Sequence, residues 1–375
     1  MNNNTDLALL QVFYDSKNLK SLLEAIKNEP IIALFIVPYY SLFCSEAPKV
    51  LSKYNIKLPS SFKSIYSEND IRIKLKIFED KYKKSEDIVK KCDYVQDFIF
   101  KNQLPFKIFS YLNLYYNIGV YVLDDKIIGN TQYVYYIFQD SKLLKLSNDD
   151  LLKVKFELIP EEIKEYGAYC GEMINIISYL GDKLNVNVKC NNEPIQAKIK
   201  YKDLNTNTLF KNNKYKFINL YILHILCNLN FVYYVIQKID KDEYGLFMRI
   251  YYITYYYSID NLTNLKNYMT SNSINTDKLK SIFDLLPSIS SYKDSEFRSC
   301  MMHYEFINPN NGNNLIEKDL LNHNNVLFGL VESRFNGITY DKLKSGLLDN
   351  IYLLSNTLDE YLNIDISKAS DFKIQ

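Results

Sequence analysis

The chain has 375 residues, 47% of them hydrophobic, and its 45 lysines and arginines against 44 aspartates and glutamates leave a net charge of +1. That apolar content suffices for a packed core in each of two domains and excludes a disordered chain. The near-zero charge excludes a global electrostatic pull on nucleic acid, so any RNA contact must come from a local patch. With 34 Tyr and no Trp, the composition reads as the codon usage of an AT-rich genome, and enrichment alone singles out no tyrosine or lysine. Six cysteines, Cys44, Cys92, Cys170, Cys190, Cys227 and Cys300, include no Cys-x-x-Cys pair, and the chain opens without a secretory signal. Both features point to a reducing cytoplasm.

The expected fold class is mainly α, with a small antiparallel β element in the N-terminal part and a helical bundle in the C-terminal part. From Asp6 to Phe109 apolar residues recur at three- and four-residue spacing, through Leu7, Leu10 and Phe13 and then Leu19, Leu22, Leu23 and Ile26. Ile31 to Phe43 is apolar but short and interrupted by Pro38, which suits a buried segment. The run from Lys74 to Lys91 reads as a solvated surface helix with Phe78, Tyr82 and Ile88 as its ridge. Gly119 to Gly129 reads as a hairpin around Asp124-Asp125-Lys126, with further strands at Tyr133–Phe138 and Val154–Ile159. A helix starting at Pro160 and stopping at Gly181 separates these from a second hairpin, Asn185 to Tyr201, turning at Asn191–Pro194.

The polar stretch Asp203–Thr208, followed by Asn212 and Asn213, is the best linker, dividing the chain into residues 1–205 and 212–365. Helices follow at Tyr215–Ile239, Tyr244–Met269, Asp277–Leu286, from about Tyr292 onward, and at Tyr340–Leu362, a pattern that fits a bundle. The first is long enough to span a membrane, but Asn219, His224, Asn228 and Asn230 are costly in lipid and favour a core helix. His224–Cys227 and Cys300–His303 each place imidazole and thiol at i and i+3, a spacing a zinc ion accepts but plain core residues also show. His323, among asparagines, reads as a loop residue. No phosphate-cradling glycine loop, nucleophile elbow or HExxH motif is present.

Only four arginines and three histidines occur, yet Arg298 and His303 stand five apart. Where lysine is the default cation, a guanidinium is kept for its planar grip on oxyanions, and imidazole titrates near neutrality. The pair suggests phosphodiester chemistry. The segment Arg298-Ser-Cys-Met-Met-His303, lying between long apolar helices and a last amphipathic one, resembles the arginine–histidine motif of the HEPN family of helical ribonucleases and nucleotide-binding domains. The resemblance covers the bundle at 212–365. It implies a metal-independent endoribonuclease without cofactor, in which His303 exchanges protons with the ribose 2′-hydroxyl or leaving 5′-oxygen while Arg298 stabilises the phosphate charge. Ser299 departs from the Asn, Asp or His common after the arginine in active members, but keeps a polar group able to bind the phosphate or orient the histidine. Five helical residues leave the two side chains about 140° apart, so the resemblance implies a composite site in a homodimer, and a role as toxin or phage-defence effector acting on RNA. An inert helical interaction protein that dimerises through the bundle, or binds RNA, is the alternative. No regulatory partner or trigger is legible.

Overall fold

The computed structural model describes residues 5–366 except 80, 103–107, 109–115, 154–160, 187, 189–193, 211–214 and 242–243. It is mainly helical, 66% helix and 6% strand, with one three-stranded antiparallel sheet, as the residue patterns predict. Helix α1 (Thr5–Ala25) buries Leu7, Val12, Phe13, Leu19 and Leu22. The apolar stretch after it is split: α2 (Pro30–Phe35) and α3 (Val37–Lys53) part at Ile36, where Pro38 sits in the first turn of the new helix and its missing N–H costs nothing.

The lysine-rich run is not one solvated helix. After α4 (Glu68–Ile73), capped by Ser67 and Asp70, it divides into α5 (Lys76–Glu79) and α6 (Tyr82–Asn102). Lys74 is 3% exposed, ion-paired with Asp140 and set 5.0 and 5.3 Å from the ring centres of Phe138 and Tyr166. A carboxylate and two aromatic faces thus replace its water.

Strands β1 (Ile118–Leu123) and β2 (Lys126–Asn130) form the expected hairpin, with Asp124 and Asp125 at φ 49° and 59°, as a two-residue turn requires. The chain does not go on as a strand. Asn130 accepts a hydrogen bond from Tyr133 N at 2.8 Å and caps α7 (Thr131–Ile137), all of whose residues are buried. Burial on every side, not a pleated face, accounts for its aromatic and β-branched content. The expected strand at Val154–Ile159 and the turn at 191–193 lie outside the described residues. Beyond α8 (Asn148–Leu151) and α9 (Glu161–Lys183), the second hairpin is replaced, among the described residues, by β3 (Lys200–Leu204). It pairs antiparallel with β1, Val120 opposite Lys202, giving the order β2-β1-β3.

Helix α10 begins at Lys216, passes through a π-helical turn at Val232–Ile236 and closes at Ile239. It is long and apolar enough to cross a membrane, but 83% of its most apolar window is buried within the fold, so it is a core helix. The remaining helices are α11 (Leu246–Ser271), α12 (Lys280–Ile289), α13 (Ser295–His303), α14 (Leu330–Arg334) and α15 (Tyr340–Leu362). The polar stretch 203–208 is tied down: Asp203 and Leu204 belong to β3, and the fully buried Thr206 bonds Asn117 through both its backbone and hydroxyl. One continuous apolar core runs from Leu7 to Leu362, so the segments either side of that stretch share it. Ahead of α14, Leu327, Phe328 and Gly329 are left-handed in succession, at φ 54°, 60° and 90°. A Cβ at residue 329 would lie 2.1 Å from Leu320 O, so only glycine fits.

Two tyrosines one turn apart on α11 fix the connection that leads into α13. The Tyr252 hydroxyl meets Tyr292 O and Asp294 O at 3.0 Å and accepts from Asp294 N at 2.8 Å. The Tyr255 hydroxyl donates to Ile289 O at 2.6 Å and accepts from Tyr292 N at 3.2 Å. Tyr252→Phe strands partly buried backbone groups at Tyr292 and Asp294 and is expected to cost about 1–2 kcal/mol. Urea unfolding checks this, and an unchanged midpoint would show that the clasp contributes nothing.

Candidate functional site

Asp294 caps α13 by accepting from Phe297 N, so the helix starts at Ser295, three residues later than the Ser291–Asp294 pattern suggests. Its nine residues place Arg298 in the first turn and His303 at the last position. Phe297, Cys300, Met301 and Met302 are fully buried and hold the helix against α11 and α3.

The structure does not bring Arg298 and His303 to a common partner. Arg298 is half-buried against α11, its guanidinium carbon 5.7 Å from the Tyr256 ring centre, and its Nε is buried without a hydrogen-bond partner among the described residues. Burial opposes its charge, but Tyr257 and Tyr256 more than offset this and its pKa rises. It does not pair with Asp294 or Glu296. Those carboxylates belong to Arg334 of α14, whose Nη2 lies 2.7 Å from Asp294 Oδ2 and whose Nη1 lies 2.5 Å from Glu296 Oε2. Ser299 is partly exposed beside Arg298.

His303 faces α3. Its Nδ1 is 3.1 Å from Glu46 Oε2, while 35% of the side chain remains open to solvent. Glu46 also takes Lys49 Nζ at 2.8 Å and Ser45 Oγ at 3.0 Å, and Lys49 bridges onward to Glu68 at 2.8 Å. Burial alone would raise the Glu46 carboxyl pKa, but hydrogen bonds and charge from His303 and Lys49 outweigh it and hold the value at about 2. An ionised carboxylate on Nδ1 fixes ring orientation and tautomer, and leaves Nε2 to exchange a proton.

Beneath this pair lies a cluster that sequence reasoning missed. Tyr304, the left-handed C-cap of α13 at φ 58°, donates its hydroxyl to Asp15 Oδ2 at 2.8 Å. Arg249 of α11 stacks 3.7 Å from the centre of the same ring, with Nε 3.2 Å from Asp15 Oδ2. Gln11 donates to Asp15 Oδ1 at 2.7 Å. Burial pushes the Asp15 pKa up, against the opposing pull of Arg249, Gln11 and Tyr304. The one available signal was the rarity of arginine: Arg249, in an apolar helix, is as exceptional as Arg298.

His224 and His303 belong to different surroundings. His224 lies between the rings of Tyr133 and Tyr136, at 5.5 and 5.3 Å, and Cys227 Sγ accepts from Asn130. Cys300 is a free, buried thiol, and His323 is exposed beside Phe328. No group of three or more histidine, cysteine or acidic side chains able to hold a metal occurs among the described residues. No protein-family model, curated protein or solved structure matches this chain.

Among the described residues neither ring nitrogen of His224 has a hydrogen-bond partner, and burial lowers its pKa to about 3. A histidine whose folded pKa lies below its unfolded value favours the folded state fully above about pH 6.5 and loses that contribution as pH falls toward 3. Within that window stability should drop with a slope of up to about 1.4 kcal/mol per pH unit from this group. His224→Phe should flatten the slope, as denaturant titrations at several pH values will read. An equal slope in wild type and variant would contradict the assignment.

Proposed function

We propose that this chain is a metal-independent endoribonuclease of HEPN type, active in the cytoplasm as a homodimer, and serving as a toxin or phage-defence effector. The observation that carries the reading is the His303–Glu46 pair: a partly exposed imidazole whose Nδ1 is engaged by a buried carboxylate. In the proposed reaction, Nε2 of His303 takes the proton of a ribose 2′-hydroxyl and the 2′-oxygen attacks the adjacent phosphorus. The phosphorus–5′-oxygen bond breaks, and the leaving oxygen receives a proton, giving a 2′,3′-cyclic phosphate and a 5′-hydroxyl. Arg298 stabilises the phosphate oxygens, with Ser299 as an auxiliary donor. Because Arg298 and His303 diverge on a single helix, a two-fold arrangement supplies the arginine of one copy to the histidine of the other.

One observation favours a second reading. Arg298 is half-buried with its guanidinium over the Tyr256 ring, which suits a guanidinium retained for packing in an inert, dimerising interaction protein or RNA-binding bundle.

Transfer RNA incubated with the full chain, with and without chelator, separates the two. His303→Ala is expected to reduce cleavage about 10²- to 10⁴-fold and Arg298→Ala about 10²- to 10³-fold, with folding intact and chelator without effect. Glu46→Gln should lower kcat at unchanged KM and abolish the preference for a single His303 tautomer in ¹⁵N spectra. Excess His303→Ala chains should poison wild type beyond dilution if both copies contribute. Cleavage that survives His303→Ala would move the active site elsewhere, and a chain that cuts nothing would leave the interaction reading.

A further inference from the structure

A cavity of about 20 Å³ lies where α5, α7, α10 and α11 meet. None of its described lining residues belongs to α3 or α13, so it is separate from the His303 site. Ile77 and Phe78 of α5 close it with apolar surface, while Tyr133 of α7, His224 of α10 and Ser258 of α11 bring polar side chains to it. Apart from Asn228, every described residue that lines it is buried. A molecule held there therefore exchanges with solvent only when the fold opens locally.

Two of the lining side chains are short of partners. Neither Nδ1 nor Nε2 of His224 meets a hydrogen-bonding group among the described residues, nor does the Tyr133 hydroxyl, and all three atoms are buried. The two rings are neighbours, their centres 5.5 Å apart. Nearby amides are partly committed elsewhere: Asn228 Oδ1 accepts from the Tyr39 hydroxyl at 3.0 Å, and Asn261 Nδ2 donates to Ile77 O at 3.3 Å. Burial keeps the imidazole neutral, so one of its nitrogens is a donor and the other an acceptor. Buried groups of this kind are rarely left unpaired, because they lose their hydration and gain nothing in return.

We infer that this cavity binds one structural water molecule, hydrogen-bonded to a ring nitrogen of His224 and to the Tyr133 hydroxyl. Size sets the number. A water needs about 10–15 Å³ of such space and two to four polar partners, so the cavity admits one and nothing larger. Chemistry sets the identity, since water both donates and accepts and so serves an imidazole nitrogen and a phenol hydroxyl together. An apolar molecule of the same size would leave both groups unpaired. A metal ion would find one imidazole and, among the described lining residues, no thiol or carboxylate, fewer than the ligands zinc requires.

The test combines a high-resolution crystal structure of the full wild-type chain with oxygen-17 magnetic relaxation dispersion, which counts long-lived internal waters in solution. One ordered water within hydrogen-bond distance of a His224 ring nitrogen is expected. His224→Phe, which replaces the nitrogens with carbon in a larger ring, should lower the count by one water. Four results would each overturn the proposal: no water at His224 in the wild-type crystal, a His224 side chain turned onto a protein partner, a metal ion revealed there by anomalous scattering, or equal counts in wild type and His224→Phe. The wild-type crystal decides the matter even if the variant fails to fold.

Discussion

The buried contact among Asp15, Arg249 and Tyr304 decides how the motif helix sits. It joins α1, α11 and the end of α13 across a sequence separation of 289 residues between Asp15 and Tyr304. Arg249 is 5% exposed and Asp15 not at all, and removing both charges from water costs about as much as their attraction returns. The Tyr304 face under the guanidinium and the amide of Gln11 recover part of that cost. Such a cluster contributes little net stability compared with a well-packed apolar replacement, but it accepts one arrangement of partners only. That selectivity sets the rotation and depth of α13, and therefore the side on which His303 emerges.

From that placement the rest of the site follows. With Tyr304 turned down into the core, the preceding residue is left at the rim, where Glu46 meets it from α3. At the other end of the helix, Arg334 spans Asp294 and Glu296, so carboxylates that favour a helix N-terminus are also neutralised by a bidentate partner. The helix is short, only nine residues, and would not persist alone in water. Contacts at its two ends and four buried side chains along its inner face supply what its length does not.

Elements governed by local chemistry were legible in the sequence. The boundaries of α15 at Tyr340 and Leu362, the Asp124–Asp125 turn and the core character of α10 all follow from spacing, caps and turn residues near at hand. Where tertiary burial competes with local preference the reading fails. Tyr133–Phe138 carries β-forming residues yet follows an asparagine cap into a helix, and Lys74 looks solvated until Asp140, Phe138 and Tyr166 close over it. Of the site, the motif residues themselves were visible, but Glu46, Asp15 and Arg249 were not, because their roles depend on pairings between distant segments that no period or spacing encodes. Tyrosine abundance concealed Tyr252, Tyr255 and Tyr304 for the same reason: a compositional bias hides individual side chains that carry specific bonds.

The three successive left-handed residues Leu327, Phe328 and Gly329 bear on the order in which the molecule assembles. Leucine and phenylalanine each carry a conformational penalty of about 1–3 kcal/mol there, against which the turn sets two local backbone bonds, Phe328 N to Asn325 O at 2.9 Å and Asn322 N to Phe328 O at 3.1 Å. Both side chains are almost wholly buried, 2% and 1% exposed, so much of the compensation comes from a core that already exists. The turn is therefore a late element of folding and an early one of partial opening, a ranking that amide exchange measures directly. Since it leads straight into α14 and Arg334, the clamp on the motif helix inherits that lateness: the start of α13 is secured only when assembly is nearly complete.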